Sequence, residues 1–202
     1  MTLQFLRKSA ILLLLAALAT PAASQELVTE VASKRDPLCQ RSVCFPAVAK
    51  FADREVPARA TGHLKVWGFD VYSAALYIDP SIHGVENVLG NTPRRLVLHY
   101  YRGISKEDFI KSTKKFVEKD PANNTKVLAE RLDRLYAAYQ PVKKNDEYFI
   151  TYTPGVGTRL SLNDLELVTI EGQDFGRAIF GIWLGEYALS DSLRDALHGL
   201  PK

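Results

Sequence analysis

The 202-residue sequence has little of several features that would assign it to a specialised class. It contains only two cysteines, so it is not a disulfide-rich scaffold and it lacks the cysteines for a four-cysteine zinc site. Its 26 basic and 23 acidic residues leave a net charge of +3, which is too small to indicate nucleic acid as the main partner. With 47% hydrophobic and 24% charged residues, the composition is that of an ordinary globular protein.

The sequence motifs of common catalytic and metal sites are also missing. The four histidines are scattered without metal-ligand spacing, and we expect neither a metal nor a cofactor. There is no Gly-x-Ser-x-Gly motif, and nothing in the sequence points to a Ser-His-Asp triad. The glycines of Pro154–Gly157 lie between two predicted strands without a following Lys-Ser/Thr, so they form neither a phosphate-binding loop nor a dinucleotide fingerprint.

The N-terminus has the pattern of a secretory signal peptide. Arg7 and Lys8 precede an unbroken apolar run, Ala10–Ala19, and small residues follow up to Ser24. The run is shorter than the roughly 20 residues that span a bilayer. We therefore predict a signal peptide over residues 1–24, a single domain over residues 25–202 without a membrane span, and a periplasmic or secreted location; an uncleaved anchor is the alternative.

Cys39 and Cys44 form a C-x4-C pair, and the predicted compartment decides how this pair is interpreted. In an oxidising environment the simplest interpretation is a local disulfide, which would pin the segment between Pro37 and Pro46. A redox-active or metal-binding role is the alternative. Against it, the pair is not a C-x-x-C motif and no histidine lies in the segment.

The pattern of apolar residues predicts strands on either side of a helical pair. We predict a strand region over Leu64–Ile78, split by a turn or bulge at Gly68, and short strands and loops over residues 37–57. Further strands are predicted at Arg95–Tyr101, Glu147–Thr153, Thr158–Leu162 and Leu165–Ile170. Helices are predicted after the N-cap Ser105, over Val127–Tyr139, over Asp174–Leu184 and from Ser190 through Leu197. This order favours an α+β fold in which helices pack on one face of an antiparallel sheet.

Four segments together resemble bacterial chalcone isomerase-like proteins. They are Val71–Ile78, which reads VYSAALYI, Gly103–Phe109, Pro154–Thr158, which reads PGVGT, and Asp174–Gly185, with its F-x4-F-x2-W-L-G pattern. The resemblance covers about residues 50–200 in the same order. It implies an open-faced β-sandwich, with a large antiparallel sheet, helices against it and a cleft between them.

The resemblance does not extend to the polar residues that catalyse chalcone isomerisation. By alignment, the family's arginine falls between Gly62 and Leu64, its threonine near Tyr72, and its tyrosine and asparagine on Phe109 and Phe116. A phenylalanine cannot hold the water or phenol that tyrosine or asparagine holds. The loss of these donors argues against chalcone isomerase activity itself.

Two principal functions remain open at this stage. The first is non-catalytic binding of a small apolar carboxylate such as a fatty acid, because plant members of the fold bind fatty acids. The apolar chain of this ligand would contact Phe109 and Phe116, if these residues wall a cleft rather than fill the core. Its polar head would contact Tyr72, Lys65 or Arg102. The second is an isomerase or intramolecular lyase acting on an unknown enone, with Tyr72 as acid. A third option is an assembly partner that uses a surface around Trp67 or Trp183; the sequence leaves the oligomeric state undetermined.

Overall fold

The computed structural model describes residues 36–163 and 165–200, so the predicted signal peptide lies outside the described residues. The strands and helices follow one another in the order β1 Leu38–Gln40, β2 Val43–Phe45, β3 Val48–Phe51, β4 Arg54–Val66, β5 Phe69–Ile78, α1 Val85–Val88, β6 Arg94–Tyr100, α2 Lys106–Lys119, α3 Thr125–Ala138, β7 Glu147–Thr153, β8 Gly157–Leu162, β9 Leu165–Ile170, α4 Gln173–Leu184 and α5 Asp191–His198. The α+β prediction is confirmed.

Seven strands, β3 to β9, form one antiparallel sheet in which spatial order follows chain order. The two-residue turn Trp67–Gly68 joins β4 to β5, as the glycine predicted, and both residues have positive φ angles, 51° and 82°. The registers place Tyr72, Tyr100 and the start of β7 at one end of the sheet. The turn between β7 and β8 lies at the opposite end.

Successive side chains of each central strand point alternately to the two faces of the sheet, and each face has its own hydrophobic core. On β6, Leu96, Leu98 and Tyr100 point toward the helices, where they join the larger hydrophobic cluster. Val97 points to the other face, where a smaller cluster with Phe45 of β2 packs beneath the β1–β2 hairpin. The helices therefore cover one face of the sheet, and the hairpin covers part of the other.

Side-chain caps fix where three of the helices begin. Ser105, Asn124 and Ser190 each accept a hydrogen bond from the backbone N–H three residues later. The stop at the end of α4 is Gly185, whose N–H donates to the carbonyl of Gly181. None of the described helices is long and apolar enough to cross a bilayer.

The main difference from the sequence prediction is β4, which begins at Arg54 rather than near Leu64. Its first part is rich in alanine, arginine and glycine, which carry little β-strand signal. The small residues serve packing instead: a Cβ on Gly62 would lie 2.5 Å from the Leu193 side chain of α5. The close approach of α5 thus explains why this strand contains small residues, and these residues explain why local propensity did not predict it.

Cys39 and Cys44 are paired across the β1–β2 hairpin as a disulfide, as the sequence suggested. Besides the apolar cluster around Phe45, polar contacts hold the hairpin on the outer face of the sheet. The carbonyl oxygen of Gln40 lies 3.4 Å from the hydroxyls of both Ser73 and Tyr101. The disulfide therefore closes a short hairpin loop on the surface of the sheet and does not join distant parts of the chain.

Reducing this disulfide is expected to lower the free energy of unfolding by only about 2 kcal/mol, because the closed loop is short. The double variant Cys39→Ser/Cys44→Ser should show the same small loss in urea unfolding, with faster amide exchange confined to residues 38–45. Loss of cooperative unfolding across the whole sheet in this variant would contradict that interpretation.

Candidate ligand-binding cavity

A cavity of about 550 Å³ lies between the inner face of the sheet and helix α2. Its size is within the usual range for sites that take small molecules. Its lining is mainly apolar and aromatic: Leu64, Val66, Val71, Tyr72, Leu98, Tyr100, Ile104, Phe109, Phe116, Tyr139, Tyr148, Ile150, Leu160, Ile182, Trp183 and Leu189, together with the polar or charged Lys65, Asp108, Ser112, Thr113, Lys115 and Ser190. Four of the five predicted ligand-binding residues, Lys65, Tyr72, Phe109 and Phe116, therefore line one cavity.

The two phenylalanines of α2 have different surroundings. The Phe109 ring stacks on Tyr139 and packs edge-on against Tyr100 and Tyr148, with ring centroids 5.2–5.8 Å apart. It is therefore both a core residue and part of the cavity wall. Phe116 is half-buried, and its ring is instead approached by the ammonium groups of Lys115 and Lys119. Phe116 is thus the better position for testing the cavity without disturbing the core.

Tyrosine hydroxyls are the main hydrogen-bonding groups deep in the cavity. Trp183 Nε1–H donates to the Tyr72 hydroxyl oxygen at 2.9 Å, which leaves the Tyr72 proton free for another acceptor. Tyr139 and Thr113 share a hydrogen bond of 2.8 Å, and Tyr148 donates to the Gln140 carbonyl. The Tyr100 hydroxyl forms no hydrogen bond with another described residue. The inner wall can therefore donate to a ligand oxygen.

Burial strengthens the preference of these tyrosines for their neutral form. It raises the pKa of Tyr72 far above its ordinary value, and it does the same for Tyr100 and Tyr139. A tyrosine with so high a pKa donates a hydrogen bond but does not act as a base near neutral pH. No carboxylate or cation is found among the fully buried lining residues, so the described inner wall offers hydrogen-bond donors without a charge.

The cavity opens between the end of β4 and helix α2. The lining residues with exposed side chains are Lys65 and Val66 on β4, and Asp108 and Lys115 on α2. Half-buried Phe116 and Ser112 lie beside them. All the charged groups of the lining are thus at the mouth, whereas the interior is aromatic and aliphatic.

The structure separates the two predicted cationic residues from the inner wall. Lys65 lines the mouth, but its ammonium lies 3.7 Å from the carboxylate of Asp70. Arg102 is not among the lining residues, and its guanidinium lies over the Phe69 ring at 5.7 Å. The sequence analysis did not include Lys115 among the ligand-binding residues, although its position beside Phe116 on α2 places a cation next to the apolar stripe. It also missed Tyr100, which alternation places on the same face as Leu98.

The proposed surface around Trp183 is wrong, because this side chain is buried and hydrogen-bonded inside the cavity. Trp183 belongs to α4, whose residues are mostly buried, and its ring lines the cavity rather than the outer surface. Trp67 is in contrast 93% exposed.

On the outer face of the sheet, the fold brings together a serine, a histidine and an aspartate. His63 Nε2 lies 2.8 Å from Asp70 Oδ1, and His63 Nδ1 lies 3.3 Å from the Ser73 hydroxyl. Ser73 is fully buried and also contacts the Tyr101 hydroxyl at 2.8 Å. A substrate carbonyl cannot reach a buried hydroxyl in the middle of a strand, so this cluster anchors the hairpin rather than acting as a nucleophile.

Comparison with known proteins agrees with this fold. The sequence profile of the chalcone isomerase-like family matches residues 40–199. Among curated protein sequences, none gives a significant match. Among solved structures, the crystal structure of a fatty-acid binding protein of Arabidopsis thaliana is similar, with a TM-score of 0.60 and 14% identity over 81% of this chain and 96% of that chain. At this identity the likeness is one of fold. Since the profile matches most of the chain, the protein belongs to the chalcone isomerase-like family.

Proposed function

We propose that this protein binds a small, mainly apolar carboxylate, a fatty acid in the first instance, in the cavity beneath α2. The observation that carries the proposal is the cavity itself: about 550 Å³, with an uncharged aromatic interior and all of its lining charges at the mouth. That arrangement matches a molecule with a long apolar body and one charged end. The fold shared with a plant fatty-acid binding protein supports the same class of ligand.

Electrostatics favours one orientation for such a ligand. A carboxylate buried at the inner wall would meet tyrosine hydroxyls but no cation, and burying an unpaired charge is costly. At the mouth it would lie near Lys115 and remain partly hydrated. The hydrocarbon chain then fills the interior, at about 0.8 kcal/mol for each buried methylene. Asp108 lies on the same rim and is held by its cap partner Ser105, which limits how far the head can move along α2.

The same proposal includes export. The basic, apolar and small-residue segments of residues 1–24 support secretion or a periplasmic location, and the Cys39–Cys44 disulfide suits an oxidising compartment. There the protein would carry or sequester its ligand without chemically changing it.

A second function rests on Tyr72. Because Trp183 donates to its oxygen, the Tyr72 hydroxyl has its own proton available for the carbonyl oxygen of an enone. Such a donor would stabilise negative charge on the enolate of an isomerase or intramolecular lyase reaction. Enone turnover that is lost in Tyr72→Phe, with folding intact, would favour this second function over simple binding.

Calorimetric titration with lauric acid tests the binding proposal, with methyl laurate as a comparison. We expect saturable binding of the acid and weaker binding of the ester, because the ester lacks the charge that Lys115 attracts. Phe116→Asp should weaken binding of the acid roughly tenfold or more, since it places a like charge in the mouth.

The matched control for this variant is Ala129→Asp, which adds the same charge at an exposed position of α3. It should bind lauric acid as the unaltered protein does. The proposal fails if the unaltered protein binds neither lauric acid nor longer fatty acids, or if the two variants bind equally well. Urea unfolding of both variants shows whether a loss of binding reflects a loss of fold.

A further inference from the structure

An exposed apolar tip stands beside the mouth of the cavity. It is formed by residues 66–69 of the β4–β5 hairpin, hereafter the hairpin tip. Within it Val66 is 42%, Trp67 93% and Phe69 64% exposed. An exposed tryptophan and phenylalanine on one turn are more than the isolated apolar residues that protein surfaces normally carry.

The backbone of the tip holds the tryptophan outward. Trp67 has a φ of 51°, in the left-handed region that two-residue hairpin turns require at this position. Asparagine, aspartate and glycine are the residues that adopt this conformation readily, so tryptophan is a costly choice for the turn alone. The ring gains little from packing against its own chain, since it is almost fully exposed. Its position is better explained by a contact outside the chain.

The charges around the tip are mainly positive. Lys65 precedes it, and Arg102 lies over the Phe69 ring at 5.7 Å. Arg41 and Lys144 share a surface hollow with Asp70, the acidic residue that directly follows the tip. Asp70 is already matched, because Arg41 lies 2.8 Å and Lys65 3.7 Å from its carboxylate. Arg102 and Lys144 form no salt bridge with a described residue, which leaves net positive charge beside the apolar tip.

We infer that the hairpin tip docks this protein on the interface of an anionic lipid bilayer. Tryptophan is enriched at the headgroup level of membranes, and flanking lysine and arginine are attracted to anionic headgroups. The tip is continuous with the cavity, because Val66 of the tip lines the cavity mouth together with the preceding Lys65. Docking would therefore bring the mouth close to the lipid. That this loads or unloads an apolar ligand rests on the proposed function, whereas docking itself does not.

The chain contains two tryptophans, which makes the tip directly observable. The full chain is mixed with vesicles of phosphatidylcholine and phosphatidylglycerol, with bromine atoms on the acyl chains as quenchers. We expect Trp67 fluorescence to be quenched, and Trp67→Phe to abolish the quenching, because the remaining Trp183 is buried. The N-terminal residues are the same in every variant, so differences in quenching report on the tip.

Phe69→Ser should reduce partitioning to these vesicles by about tenfold through lost apolar burial. Val156→Ser is the matched control: Val156 is 51% exposed in a hairpin turn at the opposite end of the sheet. Arg102→Gln should cost about fivefold on anionic vesicles, and high salt should have a similar effect. Lauric acid binding in solution should be unchanged in Phe69→Ser, which separates docking from ligand binding.

Several results would overturn docking on lipid. They are a Trp67 signal that bromolipids do not quench, equal partitioning of Phe69→Ser and Val156→Ser, or equal quenching by vesicles without phosphatidylglycerol. If Phe69→Ser instead dissociates a dimer or another protein complex in size-exclusion chromatography, the tip is a protein interface and the lipid proposal is wrong.

Discussion

Replacing Arg94 by alanine is expected to lower the free energy of unfolding by about 3–5 kcal/mol. Arg94 is among the largest side chains that the described part of the fold buries completely. It lies on the helix-facing side of β6, two residues before Leu96, at a position where alternation calls for an apolar residue. Its removal should therefore act through the core, far from any ligand.

The contacts of Arg94 explain the size of this effect. Its guanidinium donates to the carbonyls of Gly90 at 2.7 Å and Thr92 at 3.0 Å. The guanidinium carbon also lies 4.5 Å from the ring centroids of both Tyr152 and Phe180. Burial lowers the pKa of Arg94 to about 10, so the group remains a cation at neutral pH. Alanine would leave the carbonyls without donors and open a cavity between two aromatic rings.

Urea unfolding of a small set of variants tests this prediction. Arg94→Met keeps most of the volume and should be less damaging than alanine, because only the hydrogen bonds and the charge are lost. Arg95→Ala is the matched control on the same strand. Its side chain is half-buried on the other face, with a hydrogen bond to Thr151 and a stack on Phe51, so about 1 kcal/mol is expected. Equal losses for Arg94→Ala and Arg95→Ala would contradict a special role for Arg94.

Arg94 also marks the limit of sequence-based prediction for the fold. Alternation on β6 correctly placed Leu96, Leu98 and Tyr100 on one face, because the two-residue period of a strand is local. The same alternation assigns Arg94 to the core, but its partners lie on a loop, on β7 and on α4. No local sequence pattern predicts that these three elements will provide carbonyl oxygens and aromatic rings as partners for a buried arginine.

In the candidate site, too, some features could be predicted from the sequence and others could not. The helical stripe of α2 was sufficient to bring Phe109 and Phe116 to one cavity, since residues seven apart share a helix face. The hydrogen bond from Trp183 to Tyr72 joins residues 111 positions apart, and only the packing of α4 on the sheet reveals it. Arg102 failed to reach the cavity for a related reason: its side chain lies over Phe69 at the exposed end of β5.

Replacing Ser112 by tryptophan is expected to weaken the binding of lauric acid by about a hundredfold or more while leaving the fold intact. Ser112 lines the cavity mouth from the half-buried face of α2. Tryptophan is the largest side chain and would occupy a large part of a cavity of about 550 Å³, including the space that the hydrocarbon chain needs. The native serine makes no side-chain hydrogen bond with a described residue, so little stabilisation is lost in the exchange.

The matched control is Lys111→Trp, one residue earlier on the exposed face of the same helix. It introduces the same side chain, with a similar effect on helix propensity, but directs it into solvent. Calorimetric titration with lauric acid measures binding for both variants, and urea unfolding and circular dichroism verify that both are folded. Ser112→Leu serves as a smaller obstruction and should give an intermediate loss if the tryptophan distorts α2. If folded Ser112→Trp and Lys111→Trp bind lauric acid equally well, the ligand does not enter beneath α2, and the binding site must lie elsewhere.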